Sequence, residues 1–157
     1  MAAHGKNPRP QVDIRNAKAG RDYELGERFE AGIVLAGTEV KAIRAGKAQL
    51  ADAFGRIEKG EMFLYNLHIS EYDYGNINNH LPKRPRKLLL KAREIRKIQQ
   101  EIEAGGKALV PLRLYFKQAL VKVELALGVG KKLYDKRATL MKRDQERDID
   151  RAMNRRR

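Results

Sequence analysis

Val110-Pro111-Leu112-Arg113-Leu114-Tyr115-Phe116-Lys117 and, past a turn at Gln118, Val121-Lys122-Val123-Glu124-Leu125-Ala126-Leu127 are two alternating runs, and they decide the fold. Val110, Leu112, Leu114 and Phe116 fall on one side of the first run, with Pro111, Arg113, Tyr115 and Lys117 on the other. In the second, Val121, Val123, Leu125 and Leu127 alternate with Lys122, Glu124 and Ala126. Successive side chains on a strand point to opposite faces, so this period marks strands with one buried side. Pro111 has no N–H to give to a ladder, which favours an edge position for its strand.

Working outward, the same period recurs. From Phe29, the residues Phe29, Ala31, Ile33 and Leu35 share a face opposite Glu30, Gly32 and Val34. Ala53 to Glu58 and Met62 to Ile69 predict a hairpin turning at Lys59-Gly60. Arg86 to Leu90 is a shorter strand that opens after a polar loop from Tyr72 to Pro85. Three short helices lie between. Asn16 caps one running through Ala17, Lys18 and Ala19 toward Tyr23. Thr38 caps the second, with Val40 and Ile43 inward and Gly46 at its end. Ile95, Ile98 and Ile102 recur at helical spacing in the third, which stops at Gly105-Gly106. A mainly β chain of about six short strands and about three helices predicts a small closed antiparallel barrel of the oligonucleotide-binding (OB-fold) type. Alternation alone does not separate that from other small barrels.

The ends differ from the middle. Residues 1–15, with Gly5, Pro8 and Pro10, read as a flexible arm, residues 16–129 as the barrel, and 130–157 as a basic tail. Residues 131–157 hold 11 Lys and Arg against 5 Asp and Glu, so the tail carries +6 of the formal +14. Its large apolar residues are too few to offset the entropy of ordering it alone. Asp144 with Arg147 and Asp148 with Arg151 are spaced as helical pairs. The tail therefore reads as disordered when free and helical against a partner; the alternative is a solubilising appendage.

Lys and Arg number 34 against 20 Asp and Glu. A surplus of that size repels itself unless a polyanion neutralises it, and nucleic acid is the usual one. Between Lys83 and Lys97 stand Lys83, Arg84, Arg86, Lys87, Lys91, Arg93, Arg96 and Lys97, with Glu94 alone against them. On a barrel rim this cluster would neutralise several phosphates; otherwise it is a solvated face. In the tail, Lys131, Lys132, Lys136 and Arg137 flank Tyr134, which joins phosphate pairing to base stacking. The chain has no cysteine, and no stretch approaches the roughly 20 apolar residues of a membrane helix, so a soluble cytoplasmic protein is expected. His4, His68 and His80 have no spacing that unites them as a catalytic or zinc set, and no phosphate-cradling glycine motif is present. An RNA-binding protein without enzymatic activity is expected.

Four segments resemble the SsrA-binding proteins, also called small protein B: Phe29-Glu30-Ala31-Gly32, Gly37-Thr38-Glu39-Val40-Lys41-Ala42-Ile43-Arg44-Ala45-Gly46-Lys47, Arg86-Lys87-Leu88-Leu89-Leu90, and Gly130-Lys131-Lys132-Leu133-Tyr134-Asp135-Lys136-Arg137. They stand in the family's order and spacing from about Val12 to the C-terminus. The resemblance implies a bacterial trans-translation factor that binds the transfer-RNA-like part of transfer-messenger RNA and escorts it to stalled ribosomes. Its implied partners are that RNA and the ribosome, with no cofactor, membrane or DNA. By resemblance Asn16, Glu30 and Leu89 belong to the RNA-binding surface, alongside the basic Arg84, Arg86 and Lys87. Taken singly, Asn16 is equally a helix cap, Glu30 a surface ion-pair residue and Leu89 a core residue. The family's tail enters the decoding centre and the empty messenger channel, which implicates Gly130, Lys131, Lys132, Tyr134, Asp135, Lys136 and Arg137. Members often carry histidine where this chain has Tyr134, so a role for a charged imidazole does not transfer. Residues 143–157 match by charge and helical character more than by identity. A permanent ribosomal-RNA-binding protein and a metal-independent ribonuclease are the rival readings.

Overall fold

The computed structural model describes residues 12–73 and 79–131. In order they form β1 (Asp13–Arg15), α1 (Ala19–Asp22), β2 (Tyr23–Ile33), α2 (Gly37–Arg44), β3 (Ala48–Gln49), β4 (Phe54–Glu58), β5 (Glu61–Tyr65), β6 (His68–Ile69), β7 (Arg86–Leu89), α3 (Ala92–Glu103), β8 (Lys107–Lys117) and β9 (Leu120–Gly130). The two alternating runs become the β8–β9 hairpin, paired from Lys117↔Leu120 out to Lys107↔Val129. β9 pairs with β2, β2 with β7, β7 with β5, β5 with β4, and β4 returns to β8. Six antiparallel strands thus close on themselves, the predicted barrel, and β1 adds outside β8.

Inside the ring lie Phe29, Ala31, Met62, Leu64, Leu88, Leu109, Leu114, Val123 and Leu125, all buried. α2 contributes Ala42 and Ile43 to this core, and α3 contributes a fully buried Ile98. Burying one such isoleucine is worth roughly 1.5–3 kcal/mol, and with the partly buried Ile102 it fastens α3 to the barrel. Lys59 (φ 50°) and Gly60 (φ 75°) both take the left-handed region, the two-residue turn whose twist matches a hairpin.

Several sequence expectations need correction. β2 starts at Tyr23, six residues before the apolar alternation, because its first part is held by ladder bonds to the end of β9, from Tyr23↔Gly130 to Leu25↔Gly128. Asp13–Arg15, assigned to the arm, pairs with Arg113–Tyr115. β5 ends at Tyr65; Asn66 turns left-handed (φ 59°), and His68–Ile69 form a separate ladder with β3. α2 is preceded by Ala36, not capped by Thr38: the Glu39 carboxylate accepts the Ala36 N–H at 2.8 Å, while the Thr38 hydroxyl meets His80 Nδ1 at 2.9 Å. β8 is no edge strand, since β1, β4 and β9 all pair with it. Pro111 is tolerated because the ladder is irregular between Pro111 and Arg113, and because it falls between the stretches paired to β4 and to β1.

Candidate nucleic-acid interface

Register sets the outer face. Because β8, β9, β2 and β7 are neighbours, residues directly opposite one another form rows across four strands. Tyr115 pairs with Lys122, Lys122 with Gly32, and Gly32 with Leu89. The adjacent row runs Arg113, Glu124, Glu30. Glu30 and Gly32 lie on the same side of β2, so Glu30 and Leu89 are diagonal neighbours. Leu89 is 54% exposed, which removes the core alternative for it. Glycine at position 32 leaves a shallow gap between Lys122 and Leu89; a Cβ there would come within 3.3 Å of Leu89 Cβ.

Glu30 is held by its neighbours. One carboxylate oxygen accepts the Tyr115 hydroxyl and the other accepts Lys117 Nζ at 3.3 Å. The Tyr115 bond is the main reason the Glu30 carboxyl sits below its ordinary value; Lys117 and Lys122 add to the effect and partial burial opposes it. Tyr115 is pushed up to about 12, first by burial and then by its bond to Glu30. Arg113 lies 4.2 Å from the centre of the Tyr115 ring and donates to Glu124 at 2.7 Å, and Arg28 donates to Glu124 at 3.0 Å. The face therefore carries an ionised carboxylate suited to accept from ribose hydroxyls or base amino groups, with lysine and arginine beside it for phosphates.

Asn16 is half-buried beside this face. It lines a concavity of about 470 Å³ together with Arg28, Arg113 and Glu124. Its amide donates to the carbonyls of Pro111 (2.9 Å) and Leu50 (3.3 Å), and its oxygen accepts the Lys18 N–H at 3.2 Å. Asn16 is thus no N-cap of α1, whose cap position is Lys18; it ties β8 to the segment before α1.

The basic cluster does not form one surface, and Arg86 is the correction within it. Strand alternation turns Arg86 inward beside Leu88, where it is fully buried. Its guanidinium donates to Glu39 and to the carbonyls of Leu67 (2.5 Å), Pro82 (3.0 Å) and Leu81 (3.3 Å), so it has no access to a phosphate. Arg84, partly exposed, also donates to Glu39. Burial pushes the Glu39 carboxyl up, but the bonds from Arg84, the Ala36 N–H and Arg86 outweigh it and hold it below its ordinary value. Lys87 faces outward in β7 and meets Glu61 at 3.3 Å, and Lys97 meets Glu27 at 2.7 Å. Lys83, Lys91, Arg93 and Arg96 are exposed.

At the other end, Gly130 pairs with Tyr23, and Lys131 donates to Asp22 O through its backbone (2.9 Å) and to Gly20 O through Nζ (3.1 Å). The tail therefore departs beside α1. Lys132, Tyr134, Asp135, Lys136 and Arg137 lie outside the described residues, as does His4. His80 is buried; its Nε2 lies 2.9 Å from the Ile69 carbonyl, an acceptor only, so Nε2 carries the proton and Nδ1 accepts from Thr38. Among the described residues, no three His, Asp or Glu side chains group as a metal site.

Sequence reasoning did not single out Tyr115 and Lys122. The signal was present in the hairpin: a two-residue turn that pairs Lys117 with Leu120 puts Tyr115 opposite Lys122.

The family model described as "SmpB protein" matches residues 13–155. An SsrA-binding protein of Syntrophobacter fumaroxidans is 53% identical over 143 residues, 91% of this chain and 89% of that protein. Another, from Geotalea uraniireducens, is 58% identical over 134 residues, covering 85% and 89%. A solved structure described as "tmRNA-SmpB: a journey to the center of the bacterial ribosome" superposes with a TM-score of 0.67 at 46% identity, over 78% of this chain and 86% of the other. With a family match of that extent and half or more of the aligned residues shared with these relatives, the chain belongs to the SmpB family of SsrA-binding proteins.

Proposed function

We propose that this protein binds the transfer-RNA-like part of transfer-messenger RNA through the outer face of β8, β9, β2 and β7, and delivers that RNA to stalled ribosomes for trans-translation. The observation that carries the reading is the register that unites Glu30, Leu89 and Lys122 on one exposed face, in a chain of this family. Asn16 shapes the adjoining concavity, Lys87 adds an outward cation, and Arg86 with Glu39 supports the wall from inside. The tail, residues 130–157, occupies the decoding centre and messenger channel in this reading, and orders itself there against ribosomal RNA. The protein acts in the cytoplasm, as a binding protein and not an enzyme.

The decisive experiment is to purify the tagged protein from cells and sequence the RNA that comes with it. Transfer-messenger RNA at low stoichiometry to ribosomes is expected, and Glu30→Ala with Leu89→Ala depletes it. A pool containing ribosomal RNA alone overturns the reading in favour of a permanent ribosomal protein.

A further inference from the structure

Phe54 on β4 and Tyr65 on β5 stand opposite each other in the first hairpin, with ring centroids 5.7 Å apart and planes 13° apart. Arg56, two residues further along the same side of β4, brings its guanidinium carbon to 6.0 Å from the Tyr65 centroid. Such a cross-strand pair steadies a hairpin, but that role does not require the 39% exposure of Phe54. The ring borders a concavity of about 410 Å³ between β4, α1 and β8, whose lining includes Asn16, Lys18, Asp22, Tyr23 and Asp52. Lys18 and Asp52 meet at only 3.9 Å with both side chains largely exposed, a pairing too weak in water to withhold either from a ligand.

The platform adjoins the face described above through Asn16 and Ala19, which line both concavities, but its ring stands on another part of the barrel. Around the closed ring, β4 lies three strands from β2 in either direction, and β5 lies three from β9. An RNA surface resting on Glu30 and Leu89 therefore does not reach Phe54 from the same side.

We propose that Phe54 and the adjoining concavity form a second RNA contact, in which an unpaired base stacks on the Phe54 ring. Lys18 and Arg56 meet its flanking phosphates, and the Asp52 carboxylate accepts from the base edge. An exposed planar ring beside cations, in a chain of formal charge +14, is the arrangement by which proteins hold single-stranded nucleic acid. A wholly apolar protein partner fits less well, because Lys18, Asp22 and Asp52 place charge in the concavity next to the ring. This inference rests on the RNA-binding reading above.

The chain contains no tryptophan, so Phe54→Trp in the full-length protein installs a single reporter at the site. Titration with an unstructured ten-nucleotide oligouridylate RNA should quench its emission in step with binding. Phe54→Leu keeps an apolar side chain but not the flat ring, and should weaken that RNA about tenfold, the loss of one base stack. An unquenched indole in saturating RNA, or parental affinity in Phe54→Leu, overturns the contact. Glu30→Ala, assayed in parallel against transfer-messenger RNA, separates the two readings. If it weakens binding while the indole stays unquenched, the platform falls and the proposed function stands. If it has no effect while the indole is quenched, the Glu30 face falls and the platform stands.

Discussion

Glu30 and Arg86 are two charged residues with opposite fates, decided by which way a strand turns them. Glu30 points out of β2, where its removal touches no core atom, so Glu30→Ala should weaken transfer-messenger RNA in a gel-shift titration while costing only about 1 kcal/mol of stability, the loss of its bond from Tyr115. Its bond to Tyr115 has a signature in alkali. The Tyr115 phenol is held up to about 12, so it stays protonated in the folded chain after it would ionise in the unfolded one. That contribution is complete below the ordinary phenol value of about 10 and is lost as the pH rises toward 12. Absorbance titration at 295 nm should show a late phase, smaller in Tyr115→Phe (the Tyr65 phenol is also held up, by Glu58) and moved earlier in Glu30→Gln. Arg86 faces the core against Glu39. Arg86→Ala leaves the buried Glu39 carboxylate with only Arg84 and the Ala36 N–H as partners and should cost about 3 kcal/mol, read as a fall in thermal midpoint. Because Glu39 ionises below its ordinary value of 4.5 in the fold, its stabilisation is in place above that pH and is lost as pH falls through the lower folded value. Glu39→Gln should flatten that acid limb. Alternation in the sequence put Glu30 on the polar face of its strand, but it could not say that Arg86 faced in. β7 is only four residues long, too short for its alternation to be read with certainty beside Leu88-Leu89-Leu90.

At the level of elements, the long hairpin was legible because its apolar residues recur at every second position over two runs, and the first hairpin because Lys59-Gly60 is a turn of defined geometry. What escaped was short or held mainly by backbone. β1 has three residues, and β3 and β6 have two each, so no periodicity exists to be read; their pairing is dictated by the strands they meet. The early part of β2 is polar and ladders to β9 with little side-chain burial. Closure of the ring depends on the seam between β4 and β8, where Gly55 stands opposite Leu109. A Cβ at position 55 would lie 2.5 Å from Leu109 Cδ2 and 2.9 Å from its Cγ. Gly55→Ala should therefore cost about 1–3 kcal/mol of overpacking. Amide exchange in β4 and in β8 near Leu109 should accelerate more than exchange in the β8–β9 hairpin. Uniform acceleration, or none, would show that the seam does not limit closure.

On the scale of the whole molecule, the basic charge divides between cations committed to the fold and cations left to the surface. Arg84 and Arg86 are committed to Glu39, whereas Lys87 and Lys122 lie on the outer face. Replacing Lys87 or Lys122 with Ala should flatten the log-log dependence of RNA affinity on salt by roughly 0.7–0.9 for each phosphate the variant no longer neutralises. Arg86→Ala, measured on its folded fraction, should leave that slope unchanged. The barrel buries its own core without the tail, and its last paired residue, Gly130, is followed by Lys131 bonded to α1. Ending the chain after Lys131 should therefore keep the fold and nearly all affinity for transfer-messenger RNA. The removed 26 residues carry 10 Lys and Arg against 5 Asp and Glu with few apolar groups, a composition suited to a polyanionic surface. The truncated protein should fail to support peptide tagging on stalled ribosomes in a reconstituted translation reaction. Asp135→Ala combined with Lys136→Ala and Arg137→Ala should fail in the same way, since these charges follow directly on the point where the chain leaves the barrel. Tagging at the parental rate by the truncated chain would reduce the tail to a solubilising appendage and return ribosome engagement to the barrel alone.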